Sequence, residues 1–138
     1  MGQYNYAYSL ANGVGVSKNE EQAIDLYFKS AQQGDASAQH SLGYMYFEGF
    51  GVKKSNRQAE KWYRLAAENG SALSMRAIGI MHSDGDIGFK RPDLHLVWLR
   101  LAKQSGLDWV QKDIEILQNR LSLELLQTTK ITEQKCKD

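Results

Sequence analysis

The side chains with the greatest capacity for chemistry are three histidines, His40, His82 and His95, and one cysteine, Cys136. The histidines are separated by 42 and 13 residues. None therefore forms an HExxH pair or the closely spaced ligand pairs of a zinc site. His95 stands where equivalent stretches of the chain carry Ala23 and Ala59, so a hydrogen-bonded packing histidine is expected. Cys136 has no second cysteine for a disulfide and no neighbouring histidine to activate it, which excludes a nucleophile on ordinary grounds. Asp84-Gly85-Asp86 has the start of a calcium loop but not its remaining ligands or its distal glutamate, and reads as a solvated turn between helices. The glycine pairs Gly13/Gly15 and Gly49/Gly51 lack the third glycine and the preceding strand of a dinucleotide site. No serine sits in a strand–elbow–helix context. No catalytic residue, metal ligand or cofactor is assigned.

Charge narrows the choice further. Seventeen basic and sixteen acidic side chains give a net charge of +1, with seven of each sign in residues 1–70 and ten against nine in residues 71–138. Neither half offers the phosphate-neutralising surface that nucleic-acid binding requires. The longest uncharged apolar run is far short of the roughly 20 residues of a membrane span. The compartment stays open: no signal pattern begins the chain, but it starts in the middle of a repeat, so a missing upstream part is expected.

That repeat is the dominant organising feature. Gly13-Val14-Gly15-Val16 returns 36 residues later as Gly49-Phe50-Gly51-Val52. The same shift carries Ala23 onto Ala59, Tyr27 onto Tyr63, and Gly34 onto Gly70 and Gly106. Residues 2–34 and 38–70 share 11 identities over 33 ungapped positions, too many for coincidental spacing. A period of this length denotes stacked units, each burying its apolar face against its neighbours.

Each unit reads as two helices. In the middle unit Ala38, Leu42, Met45 and Tyr46 fall at helical spacing. Gly43 lies mid-helix, where glycine costs about 1 kcal/mol relative to alanine. Ala7 and Gly79 are its equivalents, so a close helix–helix approach is expected there. The Gly49–Val52 connector ends the helix, with Val52 placed to plug the seam. Ser55 with Gln58, and Asn19 with Gln22, read as capping boxes, and Pro92 falls at a first helical position. The second helix presents Ala59, Trp62, Tyr63, Ala66 and Ala67 and stops at Gly70. In the third unit Gly85 and Gly88 are one residue further apart than Gly49 and Gly51, with the frame recovered by Trp98 and Ala102. After Gly106, Val110, Ile114, Leu117, Leu121 and Leu125 predict one amphipathic helix over 108–127 that caps the array, and residues 128–138 predict a mobile tail.

The pattern Ala38-x3-Leu42-Gly43-x2-Tyr46-x2-Gly49-x-Gly51-Val52, followed by Ala59-x2-Trp62-Tyr63-x2-Ala66-Ala67-x2-Gly70, resembles the Sel-one-like repeat of the tetratricopeptide-type α-solenoids. Three units match, over 2–34, 38–70 and 74–106. The first departs from the pattern with Tyr6-Ala7 and the third with His82 and His95; the paired cysteines of some relatives are absent. The resemblance implies an all-α, right-handed α-α superhelix of three helical hairpins plus the capping helix. It also implies a non-catalytic adaptor for protein complexes, of the kind that serves signalling, envelope or host-contact roles in bacteria.

In such arrays the first helices line the concave wall, again by resemblance. Residues offset from the core seam of those helices form two ladders, Tyr4/His40/Arg76 and Tyr8/Tyr44/Ile80, edged by Asn12/Glu48/Asp84. The partner-binding set expected from them is Tyr4, Tyr8, His40, Tyr44, Glu48, Arg76 and Ile80, suited to a protein or extended peptide. The alternative, that Tyr8 and Tyr44 pack between units as core, stays open. So do a cell-wall-directed hydrolase and a glycan or small-molecule receptor built on the tyrosines. The truncated first unit leaves Tyr6, Leu10 and Leu26 available to pair with a second copy of the chain.

Overall fold

Helix starts are set by residues that satisfy free backbone N–H groups, and they recur on the sequence period. The computed structural model describes residues 20–137. Helices α1 (Glu20–Gln32), α3 (Asn56–Glu68) and α5 (Pro92–Gln104) start 36 residues apart, as do α2 (Ala36–Glu48) and α4 (Ala72–Asp84). All five are 13 residues long, about 20 Å each. Asp35 caps α2 through the N–H of Ser37 and Ala38. Ser71 caps α4 through Ser74 N–H, and Ser55 caps α3 through Gln58 N–H at 3.2 Å; the return bond of a capping box is replaced by Ser55 N–H to Tyr46 O. Pro92 occupies the first turn of α5, where no N–H is needed. Asn19 and the Gly13–Val16 connector lie outside the described residues.

The two described connectors share one backbone design. Gly49 (φ 77°) and Gly85 (φ 79°) both end a first helix in the left-handed region that glycine adopts without strain. Phe50 N–H bonds to Met45 O, and Asp86 N–H to Met81 O, 36 residues on. Ser55 N–H to Tyr46 O likewise recurs as Arg91 N–H to His82 O. The third connector is thus no longer than the second; its later glycine is merely displaced. Phe50 and Val52 pack on the cluster beneath them, as the seam-plugging role requires.

Helices pack chiefly on their sequence neighbours, and the core runs as a row of three clusters rather than one centre. Ala23, Ile24, Tyr27, Ala31, Ala38, Leu42 and Met45 join α1 to α2. Ala59, Tyr63, Ile78 and Met81 join α3 to α4. Leu99, Val110, Ile114 and Leu117 join α5 to the terminal cap. Successive second helices also meet through a repeated joint. Phe28 meets Trp62 edge to face at 5.4 Å, and the same positions one unit later place the Arg64 guanidinium 5.6 Å from the Trp98 ring. Among the described residues there is no strand, and the chain is an all-α solenoid.

The C-terminal segment differs from expectation. It opens with a 3-10 turn, Asp108–Val110, and continues as a single helix α6, Gln111–Lys137, ten residues past the predicted end at 127. Lys, Glu and Gln are good helix formers and offset the poorer Thr128, Thr129 and Thr132, whose hydroxyls donate to carbonyls four residues back. The apolar seam is shorter than predicted. Ile114 and Leu117 are buried and Leu121 partly so, but Leu125 is 69% exposed because none of the described helices lies beneath it. Among the described residues no helix is long and apolar enough to cross a membrane. Of the apolar residues expected on the open side of the first unit, Leu26 packs partly buried on the first cluster, and Tyr6 and Leu10 lie outside the described residues.

Candidate functional site

Once the seams of α2 and α4 are buried, the residues offset from them converge between the two helices. His40, Tyr44 and Glu48 from α2 and Arg76 and Ile80 from α4 all line one depression of about 220 Å³. Five of the seven residues expected to bind a partner therefore share a surface; Tyr4 and Tyr8 lie outside the described residues. Asp84, expected at the edge, is exposed at the end of α4 and is not part of the lining. Phe47, Tyr63, Leu73, Ala77 and Met81 complete the lining.

The core reading of Tyr44 is not what the structure has: the ring is 50% exposed. Tyr63 is the tyrosine that packs, 4% exposed, with its phenol held well above the ordinary value by burial and further by Glu48 and Tyr44. The backbone of α2 comes close enough to touch that ring because Gly43 has no side chain.

His40 is held in a fixed state at the floor. Its ring lies 5.3 Å from Tyr63, and its Nδ1 is 2.7 Å from Ser74 Oγ. Ser74 is fully buried and already accepts a hydrogen bond from the Ser71 hydroxyl at 3.0 Å. His40 Nδ1 and Ser74 Oγ therefore share one hydrogen bond, whose direction follows the imidazole tautomer. Burial pushes the His40 pKa below the ordinary 6.5, so the ring is neutral near pH 7. Ser74 is closed to any substrate, so this serine–histidine pair orients a ring and presents no nucleophile.

Arg76 is braced rather than free: its guanidinium sits 5.1 Å from the centre of the Trp109 ring in the 3-10 turn. It also lines a second depression of about 330 Å³ on the far side of α4, together with Ile80, Ser83, His95, Leu99, Asp113, Ile116, Leu117 and Arg120. The ladders stop at the third unit and so omit this space. One further step of 36 from Ile80 lands on Ile116, which does line it. The same step from Asp84 lands on Arg120, which lines it too and replaces an acid with a base. His95 packs, as expected, with its Cδ2 3.0 Å from where a Gly79 Cβ would stand. It is not hydrogen-bonded as expected: its buried Nδ1 has no partner among the described residues, since neighbouring units carry alanine there and supply no acceptor. No group of three or more His, Cys, Asp or Glu among the described residues could hold a metal ion, and Cys136 is exposed.

A family model described as Sel1 repeat matches residues 1–35, 36–71 and 72–96. The second and third of these matches start at the first residues of α2 and α4. The chain is similar to the crystal structure of a Sel1 repeat protein from Oxalobacter formigenes, with 37% identity and a TM-score of 0.74 over 83% of this chain and 47% of that one. It is also similar to c5321, a protective antigen of uropathogenic Escherichia coli strains with an SLR fold, at 34% identity and a TM-score of 0.71 over 78% of this chain and 23% of that one. The chain thus spans about half the length of the first structure and a quarter of the second. No curated protein matches the sequence. Sel1 repeat proteins are generally protein-interaction scaffolds. With the 36-residue register of its helices and three consecutive matches to the repeat model, this chain belongs to the Sel1 repeat family.

Proposed function

We propose that the protein is a non-catalytic docking module that binds a protein segment or extended peptide on the concave face of its array, across the depression between α2 and α4. The observation that carries this reading is the meeting of His40, Tyr44, Glu48, Arg76 and Ile80 around one hollow whose central tyrosine is half exposed. Rigid rings supply contact area at low entropic cost, and the arginine and glutamate at opposite ends set orientation. The second ring nitrogen of His40 remains to meet a backbone group of the partner.

The test compares wild type with Tyr44→Ala in affinity capture of partners, with melting temperature measured alongside. Tyr44 contributes to binding and little to folding, so the variant loses its partner and keeps its melting temperature. A variant that melts far lower yet captures the same partner removes the docking role from this surface.

A further inference from the structure

The second depression differs from the first in charge. Arg76 from α4 and Arg120 from α6 both line it, against one lining carboxylate, that of Asp113; Asp84 acts on His95 from outside the lining. Among the described residues neither guanidinium has a carboxylate within ion-pair distance; the ion pairs of that region are spent elsewhere, at Arg64–Glu60 and Arg91–Asp93. Arg76 is also prepared for an anion. Its guanidinium carbon stands 5.1 Å from the centre of the Trp109 ring, which restricts the side chain before an anion arrives. The remaining lining is mostly aliphatic: Ile80, Leu99, Ile116 and Leu117.

We infer that this second depression is a subsite for a glutamate side chain of the partner segment bound in the neighbouring groove. The inference rests on the docking reading above and specifies its chemistry. A glutamate matches both parts of the lining, its methylenes on the isoleucines and leucines and its carboxylate on the two arginines. The carboxylate of a chain end would instead set its own polar backbone against aliphatic walls. The two depressions flank α4 and share Arg76 and Ile80. Neighbouring helices lie about 8–10 Å apart and an extended chain advances roughly 3.3 Å per residue. The glutamate therefore stands about three residues from the apolar side chain that meets Tyr44.

The test is selection of random displayed peptides against the full chain, followed by titration of one selected synthetic peptide. The expected sequences pair an apolar or aromatic residue with a glutamate about three positions away. Arg120→Glu then weakens the peptide about tenfold or more, Asp113→Asn strengthens it, and added salt weakens it. Arg120 and Asp113 are exposed, so both variants fold. Selected peptides that depend on Tyr44 but show no acidic preference and ignore Arg120→Glu overturn the subsite and leave the groove standing. Binding lost on amidating the peptide's C-terminus, but kept when its glutamate becomes glutamine, also overturns it, in favour of a chain end. Peptides indifferent to Tyr44→Ala as well, or no selection at all, overturn the groove and the subsite together.

Discussion

Asn69 donates its side-chain amide to the Oε1 of Gln39 at 2.9 Å, and Gln39 in turn donates its Nε2 to the carbonyl of Ala31 at 3.1 Å. A single amide, 1% exposed, thus ties the end of α1, the start of α2 and the end of α3 with both of its polar atoms engaged. Satisfied buried amides cost little; broken ones leave their partners desolvated and unpaired. Gln39→Leu is expected to lower stability by about 2–3 kcal/mol despite its greater hydrophobicity. Asn69→Ala, whose side chain is nearer solvent, costs less. Urea denaturation of the two variants checks the order, and equal losses contradict the three-helix tie.

The mid-helix glycines separate propensity from packing. A Cβ on Gly43 would stand 2.5 Å from Cδ1 of Tyr63, a core ring with no room to retreat, whereas one on Gly79 would meet His95 and Trp98 at 3.0 Å. Alanine is worth about 1 kcal/mol over glycine in a helix, and overpacking costs roughly 1–3 kcal/mol. Gly43→Ala is therefore destabilising and Gly79→Ala close to neutral. Thermal unfolding checks this; a Gly43→Ala protein more stable than wild type means that α2 and α3 are not in contact at Tyr63.

How much of this was legible in the sequence follows from what repeats. Identities at a fixed shift locate helix starts, because capping and connector residues act locally and recur with the unit: Ser55, Pro92, Gly49 and Gly85 did so. The depression lined by Tyr44 and Arg76 was legible for the same reason, since offset from a buried seam is a property of one helix. Gln39 was not, because a glutamine reads as surface until Ala31 and Asn69 are seen to close over it. The second depression depends on Arg120, which falls one step of 36 beyond Asp84 but carries the opposite charge, so the acidic edge of the earlier units does not announce it. The helical course of residues 128–137 was missed because a polar composition reports solvation, and a solvated backbone rich in Lys, Glu and Gln can still be helical.

Two histidines make stability depend on pH. Burial lowers the pKa of both His40 and His95 below the ordinary 6.5, with Arg76 and Arg120 opposing and Asp84 and Asp113 favouring the charge of His95. The folded state thus binds fewer protons than the unfolded chain as pH falls past that value. Their contribution is fully present above about pH 6.5 and is lost as pH falls toward the lowered folded pKa values. His82, also lowered, is less enclosed and has charges of both signs around it, so its share is small. Urea midpoints are expected to fall between about pH 7 and pH 5, and to fall less in a His40→Gln, His95→Ala double variant. An equal slope in both proteins assigns the pH dependence to other groups.

The last helix divides into a part that folds the protein and a part that does not. Ile114 and Leu117, 5% and 4% exposed, close the cluster around Leu99 and Val110, and beyond the partly buried Leu121 every described residue is exposed. Removing residues 123–138 deletes no buried side chain among those described, so the melting temperature is expected to stay within a degree or two while the helical circular-dichroism signal drops by the residues lost. Leu117→Ala instead opens the end of the array and costs about 2–4 kcal/mol. In a stacked array that loss starts at the C-terminal cluster, so hydrogen exchange quickens first in α5 and last in α2. A truncation that melts as low as Leu117→Ala means that the exposed leucines at 123, 125 and 126 are covered in solution. Light scattering then shows whether a second copy covers them.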